Sequence, residues 1–138
     1  MCLLVDKKSV ERGANLRNKT GKRVYWKVVI NRYDGINSSV KSCFEWKPGW
    51  NISDRPLISL NIMEGRNQIV ERGIHVFTSR KQARKSVWFF GHRVVKVICY
   101  NKDCVAFDEG GTEAVYTKVF LARDEYKSAL TRKTIERR

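Results

Sequence analysis

Two histidines, a lysine and a short run of cations are the residues of this chain best suited to chemistry. His75 stands in GIHVFTS, His92 opens HRVVKVICY, and Lys96 follows on the same run. Imidazoles titrate near neutrality, so one can accept a proton while the other donates one. An ammonium beside them would steady the charge that builds on a phosphodiester oxygen. If the chain brought His75, His92 and Lys96 to one cleft, they would form a metal-independent phosphodiesterase or ribonuclease. A histidine inside a strand reads as readily as a hydrogen-bonded structural residue.

Between the histidines lies TSRKQAR. Ser79 followed three places later by Gln82 is the start signal of a helix over about residues 80–89. On a wheel of about 100° per residue, Arg80, Lys81, Arg84 and Lys85 fall within about 140° of one another, opposite Ala83, Val87 and Phe90. Cations crowd the end of a helix that is already partly positive, and a bound anion would reverse that penalty. Backbone N–H groups with the Thr78 and Ser79 hydroxyls would complete a phosphate cradle. An ordinary solvated amphipathic helix has the same pattern. Neither a Walker loop nor a GxGxxG fingerprint is present, and the histidine spacing matches no HxT or HxS pair of the two-histidine phosphoesterases.

The aromatic residues suggest a second way to hold nucleic acid. Trp26, Trp46, Trp50 and Trp88 are interleaved with Lys and Arg, a mixture that stacks bases while gripping phosphates. Trp26 and Trp88 read as core or core-edge residues. Trp46 and Trp50 flank KPG in a stretch, residues 46–56, that holds both prolines and reads as a loop. Glu113, after the GGT turn, is the carboxylate to watch.

Global composition points the same way. The 138 residues carry 28 Lys and Arg against 14 Asp and Glu, a net +14, which an anionic partner would relieve. Nucleotide, nucleic acid and an acidic host protein all qualify. Cys2, Cys43, Cys99 and Cys104 have no metal-ligand spacing, so neither metal nor cofactor is expected. MCLLV is too short for a signal-peptide core and no apolar run approaches a membrane span, which predicts a cytoplasmic protein with reduced thiols.

These residues must be positioned by a single domain over residues 1–138. Residues 1–21 read as a short helix or arm, its helix weakened by Gly13. RVYWKVVINR is the clearest early strand, followed by the turn YDGINS, a strand in VKSCFEWK, and an irregular stretch over 57–70. GIHVFTS, HRVVKVICY, CVAFD and AVYTKVFLA supply further strands, and 122–138 a closing helix anchored by Leu130 and Ile135. That order predicts an α+β fold: a mostly antiparallel twisted sheet with one inserted helix and a C-terminal helix.

YWKVV, CFEWKPGWN, GIHVFTSRKQAR and VYTKVFL, in that order over roughly residues 22–121, resemble a group of small bacteriophage accessory proteins. The G-I-H run before a helix and a VVKV strand also resembles the module preceding pentapeptide repeats. The resemblance implies an accessory or anti-defence protein of the host cytoplasm: a nucleotide sponge, a nucleic-acid binder, or an inhibitor docked on an acidic host protein. A weaker likeness to ADP-ribosyltransferase-like folds would set His75, Tyr100 and Glu113 around NAD, without that fold's local signatures.

Overall fold

A computed structural model describes residues 3–5, 7–32, 35–38, 45–53, 58–60, 68–70, 73–87, 92–108 and 110–131. The fold is α+β, as the order of elements predicts. Helix α1 (Lys7–Arg17) follows a short strand β1 (Leu3–Val5) and leads into the long strand β2 (Lys22–Arg32). Then come β3 (Gly35–Ser38), β4 (Glu45–Trp46), β5 (Gly49–Ile52), β6 (Ile58–Leu60), β7 (Gln68–Val70) and β8 (Ile74–Phe77). The inserted helix α2 (Arg80–Lys85) precedes β9 (His92–Tyr100), β10 (Cys104–Phe107), β11 (Glu113–Tyr116), β12 (Lys118–Leu121) and α3 (Arg123–Thr131).

The main sheet runs β10-β11-β8-β2-β9-β12-β5, all antiparallel, with β3 appended to β2 and β4 to β3. β1, β7 and β6 make a separate three-stranded sheet. β2 and β9 form the spine of the main sheet, in register from Lys22 opposite Tyr100 to Ile30 opposite His92. Both runs are rich in valine and isoleucine, whose branched side chains suit a pleated surface packed on two sides.

Alternation divides the sheet into two faces. One carries Tyr25, Val29, Val95 and Val97, and with Trp46, Leu121 and Ala129 of α3 it makes the main core. The other is covered only in part: Ala83 and Val87 from α2 pack on Val28 and Val94, flanked by Trp26 and Phe77. Among the described residues, the part of this face farther from α2 is the exposed one, at Val24, Trp50 and Ile52.

Helix α1 covers the edge strand β10. Gly13 makes this possible, because a Cβ there would lie 2.6 Å from the Val105 carbonyl oxygen and 2.8 Å from the Ala106 Cα. The Arg17 guanidinium donates to the Cys104 and Val105 carbonyls at 2.7 and 3.1 Å, so carbonyls of an edge strand are satisfied by a side chain. Gly13, which weakens the helix on propensity grounds, is the residue that lets it dock.

Several expectations are corrected. Residues 46–56 are not a loop throughout: β5 forms because the Asn51 amide closes the KPG turn, donating to the Lys47 and Gly49 carbonyls and accepting from the Lys47 N–H. YDGINS contains strand β3 rather than only a turn, and the irregular stretch over 57–70 contains β6 and β7. The inserted helix stops at Lys85, with Ser86 as its cap. AVYTKVFLA breaks into β11 and β12 at Thr117, whose N–H donates to Asp103 and whose carbonyl accepts from Ser53. Residues 40–44 of the expected second strand, Phe90, Trp88, Cys2, Cys43 and Ile135 lie outside the described residues.

Candidate functional site: a cationic cleft beside α1

His75 and His92 occupy the same face of the sheet but are not neighbours. Trp26 opposes Phe77, and continuing that antiparallel register sets His75 beside Val28, whereas His92 opposes Ile30. Two strand spacings and two residues of rise separate their Cα atoms by about 12 Å. Both are buried, and burial lowers the His92 pKa below its ordinary value. The His75 carbonyl accepts the buried Lys27 ammonium at 2.7 Å, a bond that ties β8 to β2. Lys96 opposes Trp26, toward the other end of the sheet; its backbone N–H donates to Glu125 of α3 at 3.0 Å.

The expected start of α2 is present. Ser79 is the N-cap, its hydroxyl accepting the Gln82 N–H at 3.2 Å. Arg80, Lys81 and Lys85 are exposed, Arg84 is half-buried, and Ala83 is buried beneath them. The hydroxyls of the imagined cradle are otherwise engaged. Thr78 donates to the Gly111 carbonyl at 2.6 Å, which pins β8 to the β10–β11 turn. With six residues, α2 has little dipole to offer an anion. Trp46 is corrected outright: it is fully buried in the main core and stacks no ligand, while Trp50 is 45% exposed.

The cations that do converge come from α1 and the turn after it. Lys8, Arg12 and Asn15 recur along one face of the helix, Lys19 follows just past its end, and Arg23 at the start of β2 meets them across a cleft of about 340 Å³. Leu16 and Phe107 form its apolar wall and Glu11 is its one acid. The Arg12 guanidinium rests 4.5 Å above the centre of the Phe107 ring. Arg23 donates to the Tyr25 hydroxyl at 3.3 Å, and that bond raises its pKa further.

Behind this wall sit the two described cysteines, both buried free thiols. Burial pushes the Cys104 thiol up to about 11, against the opposing pull of the neighbouring Tyr116 hydroxyl and of Arg17, Arg23 and Arg12. Cys99 is raised still further by burial. Neither is a thiolate at neutral pH, so they serve as core residues rather than nucleophiles. The three guanidiniums acting on Cys104 mark how positive this end of the molecule is.

No family model, curated protein or solved structure matches this chain. What the site can do therefore rests on its own chemistry. Lysine and arginine at fixed spacing over an apolar wall can neutralise several phosphate oxygens while a flat group lies against Phe107 and Arg12. Among the described residues no group of His, Cys, Asp and Glu is arranged to hold a metal ion, and no helix is long and apolar enough to cross a membrane. The short helix expected within residues 1–21 is present as α1, and Lys8, Arg12 and Asn15 share one of its faces, although Gly13 weakens that helix on propensity grounds.

Proposed function

We propose that this is a non-enzymatic binding protein for a phosphate-bearing ligand, a nucleotide or nucleic acid, held in the cleft between α1 and the start of β2. The observation that carries the reading is the convergence of Lys8, Arg12, Lys19 and Arg23 on one cleft with a single opposing acid. Four like charges repel one another across that space, so an anion entering it relieves strain as well as forming bonds. The Arg12 guanidinium, already steadied on Phe107, is preorganised to fork onto a phosphate. A net charge of +14 draws any polyanion toward the site. The phage-type resemblance supplies a setting for it, as an accessory or anti-defence factor in a host cell.

The test is binding of inorganic tripolyphosphate, ATP and a short RNA at about 50 mM salt and again at about 200 mM, where each phosphate contact should cost affinity steeply. Lys8→Glu with Lys19→Glu should abolish most of the tripolyphosphate and ATP binding, and Lys81→Glu with Lys85→Glu in α2 should change it far less. Lys8→Glu also favours the start of α1, so the variant should fold. Absence of binding to all three probes at low salt would remove the proposal. Equal binding by the α1 variant, or capture of a stoichiometric acidic protein with no nucleotide, would also remove it.

A further inference from the structure

The open end of the sheet carries a second surface that the cleft does not use. Register sets one row of side chains across four strands: Val24 on β2, Ile98 on β9, Phe120 on β12 and Trp50 on β5. In the next row Lys22 stands opposite Tyr100, and Lys118 opposite Ile52. Residues paired across strands, or two apart along one, share a face, so both rows lie on the side where α2 packs on Val28 and Val94, flanked by Trp26 and Phe77. Arg23 alternates with Lys22 and Val24 and points to the other side, where it lines the cleft.

This surface is exposed and aromatic. Val24, Trp50 and Ile52 are 44%, 45% and 69% exposed. The Trp50 ring is braced by Tyr100, tilted to it at 5.3 Å, and by Phe120, edge-on at 5.4 Å. The Lys118 ammonium lies 4.8 Å from the centre of Trp50, and that of Lys22 lies 6.0 Å from the centre of Tyr100. Neither row contains an acid.

An apolar face left open in this way is a place for a partner, and its charge selects which one. A second copy of a chain at +14 would bring cation against cation. Rings held in place with ammonium groups among them suit a polyanion that also presents flat faces. We propose that this face is a stacking platform for single-stranded nucleic acid, with bases on Trp50 and Tyr100 and phosphates on Lys22 and Lys118. Surface cation–π contacts are weak, so each lysine can leave its ring for a phosphate when a base arrives. The four strands span about 14 Å, room for more than one unstacked base. Duplex does not fit, because its bases already stack on one another.

The test uses the full chain and fluorescence anisotropy with a labelled oligothymidylate of about 12 nucleotides. An abasic strand of the same length and a duplex are compared with it. Oligothymidylate should bind more tightly than either. Trp50→Ala should weaken it by about tenfold or more and leave the abasic strand unchanged, whereas Trp50→Phe should keep most of the affinity. Lys118→Gln should lower the salt dependence without removing the preference for bases. Equal affinity for oligothymidylate and the abasic strand, or an unaltered Trp50→Ala variant, would overturn the platform. So would a dimer in sedimentation that Trp50→Ala dissolves while oligonucleotide binding stands. The two surfaces fail separately: Lys8→Glu with Lys19→Glu should lose tripolyphosphate yet retain the difference between oligothymidylate and abasic strand.

Discussion

Replacing Gly13 with alanine sets two rules against each other. In an open helix alanine is favoured over glycine by about 0.5–1 kcal/mol. Here the new methyl would sit 2.6 Å from the Val105 carbonyl oxygen, 2.8 Å from the Ala106 Cα and 2.9 Å from the Val105 carbonyl carbon. Carbon contacts are most favourable at about 3.5–4.0 Å, so α1 or β10 must withdraw by roughly 1 Å. All three obstacles are backbone atoms of a paired strand, which cannot swing aside as a side chain does. Withdrawal also stretches the Arg17 bonds to Cys104 and Val105 and loosens Leu16 and Val10 from their core contacts. Overpacking of this kind costs about 1–3 kcal/mol, so the net loss after the helix gain is on the order of 1–2 kcal/mol. Urea denaturation should show a lower midpoint at unchanged slope, and Tm should fall by about 3–8 °C. Tripolyphosphate affinity should fall with it, because α1 carries most of the cleft. A Gly13→Ala protein as stable as the parent would refute both the docking argument and the role given to this glycine.

Two further outcomes depend on pH. Glu113 is half-buried and its pKa is raised by burial first and by Asp108 second, against the pull of Lys27. Its protonated form is favoured in the fold, so its contribution is complete below the unfolded carboxyl pKa and lost as pH rises through the folded one. Glu113→Gln should therefore raise the urea midpoint at pH 7 and leave it nearly unchanged near pH 4. His92 has the opposite sign: burial lowers its pKa, so stability is full above about 6.5 and declines as pH falls toward the folded value. His92→Gln should flatten the loss between pH 7.5 and 5.5, and an equally steep loss in the variant would show that another group is responsible.

What the sequence made legible, and what it hid, follows from the range of the forces involved. RVYWKVVINR, GIHVFTS and HRVVKVICY became strands because their period of two is a local property that tertiary packing only reinforces. Ser79 was readable as a cap for the same reason. The strand β5 depends on one buried asparagine reaching across its own turn, and Pro48 and Gly49 alone spell loop. Trp46 looked like half of an exposed pair, but its register beside β3 turns it into the core while Trp50 faces outward. AVYTKVFLA alternates without interruption, yet Thr117 is held by Asp103 and Ser53, so its halves pair with different neighbours. Gly13 weakens α1 on propensity grounds, yet its value lies in a contact with a strand far along the chain.

The separation of the histidines bears on the choice between binding and cleavage. General acid–base catalysis on one phosphate needs both imidazoles within hydrogen-bond reach of it, directly or through one water. Here a spacing of about 12 Å separates the Cα atoms, by strand spacing and rise. Val28 beside His75 and Val94 near His92 are sealed under Ala83 and Val87. A phosphate bridging the imidazoles would have to displace the apolar side of α2. Lys96, the third member of the imagined trio, stands beyond Val94 opposite Trp26, beside the open aromatic face rather than beside His92. Its charge serves a strand laid across that face better than it serves an acid–base pair. The same cation that suggested a nuclease therefore strengthens the case for nucleic-acid binding, and cleavage unaltered in a His75→Ala, His92→Ala double variant would leave the pair with structural work alone.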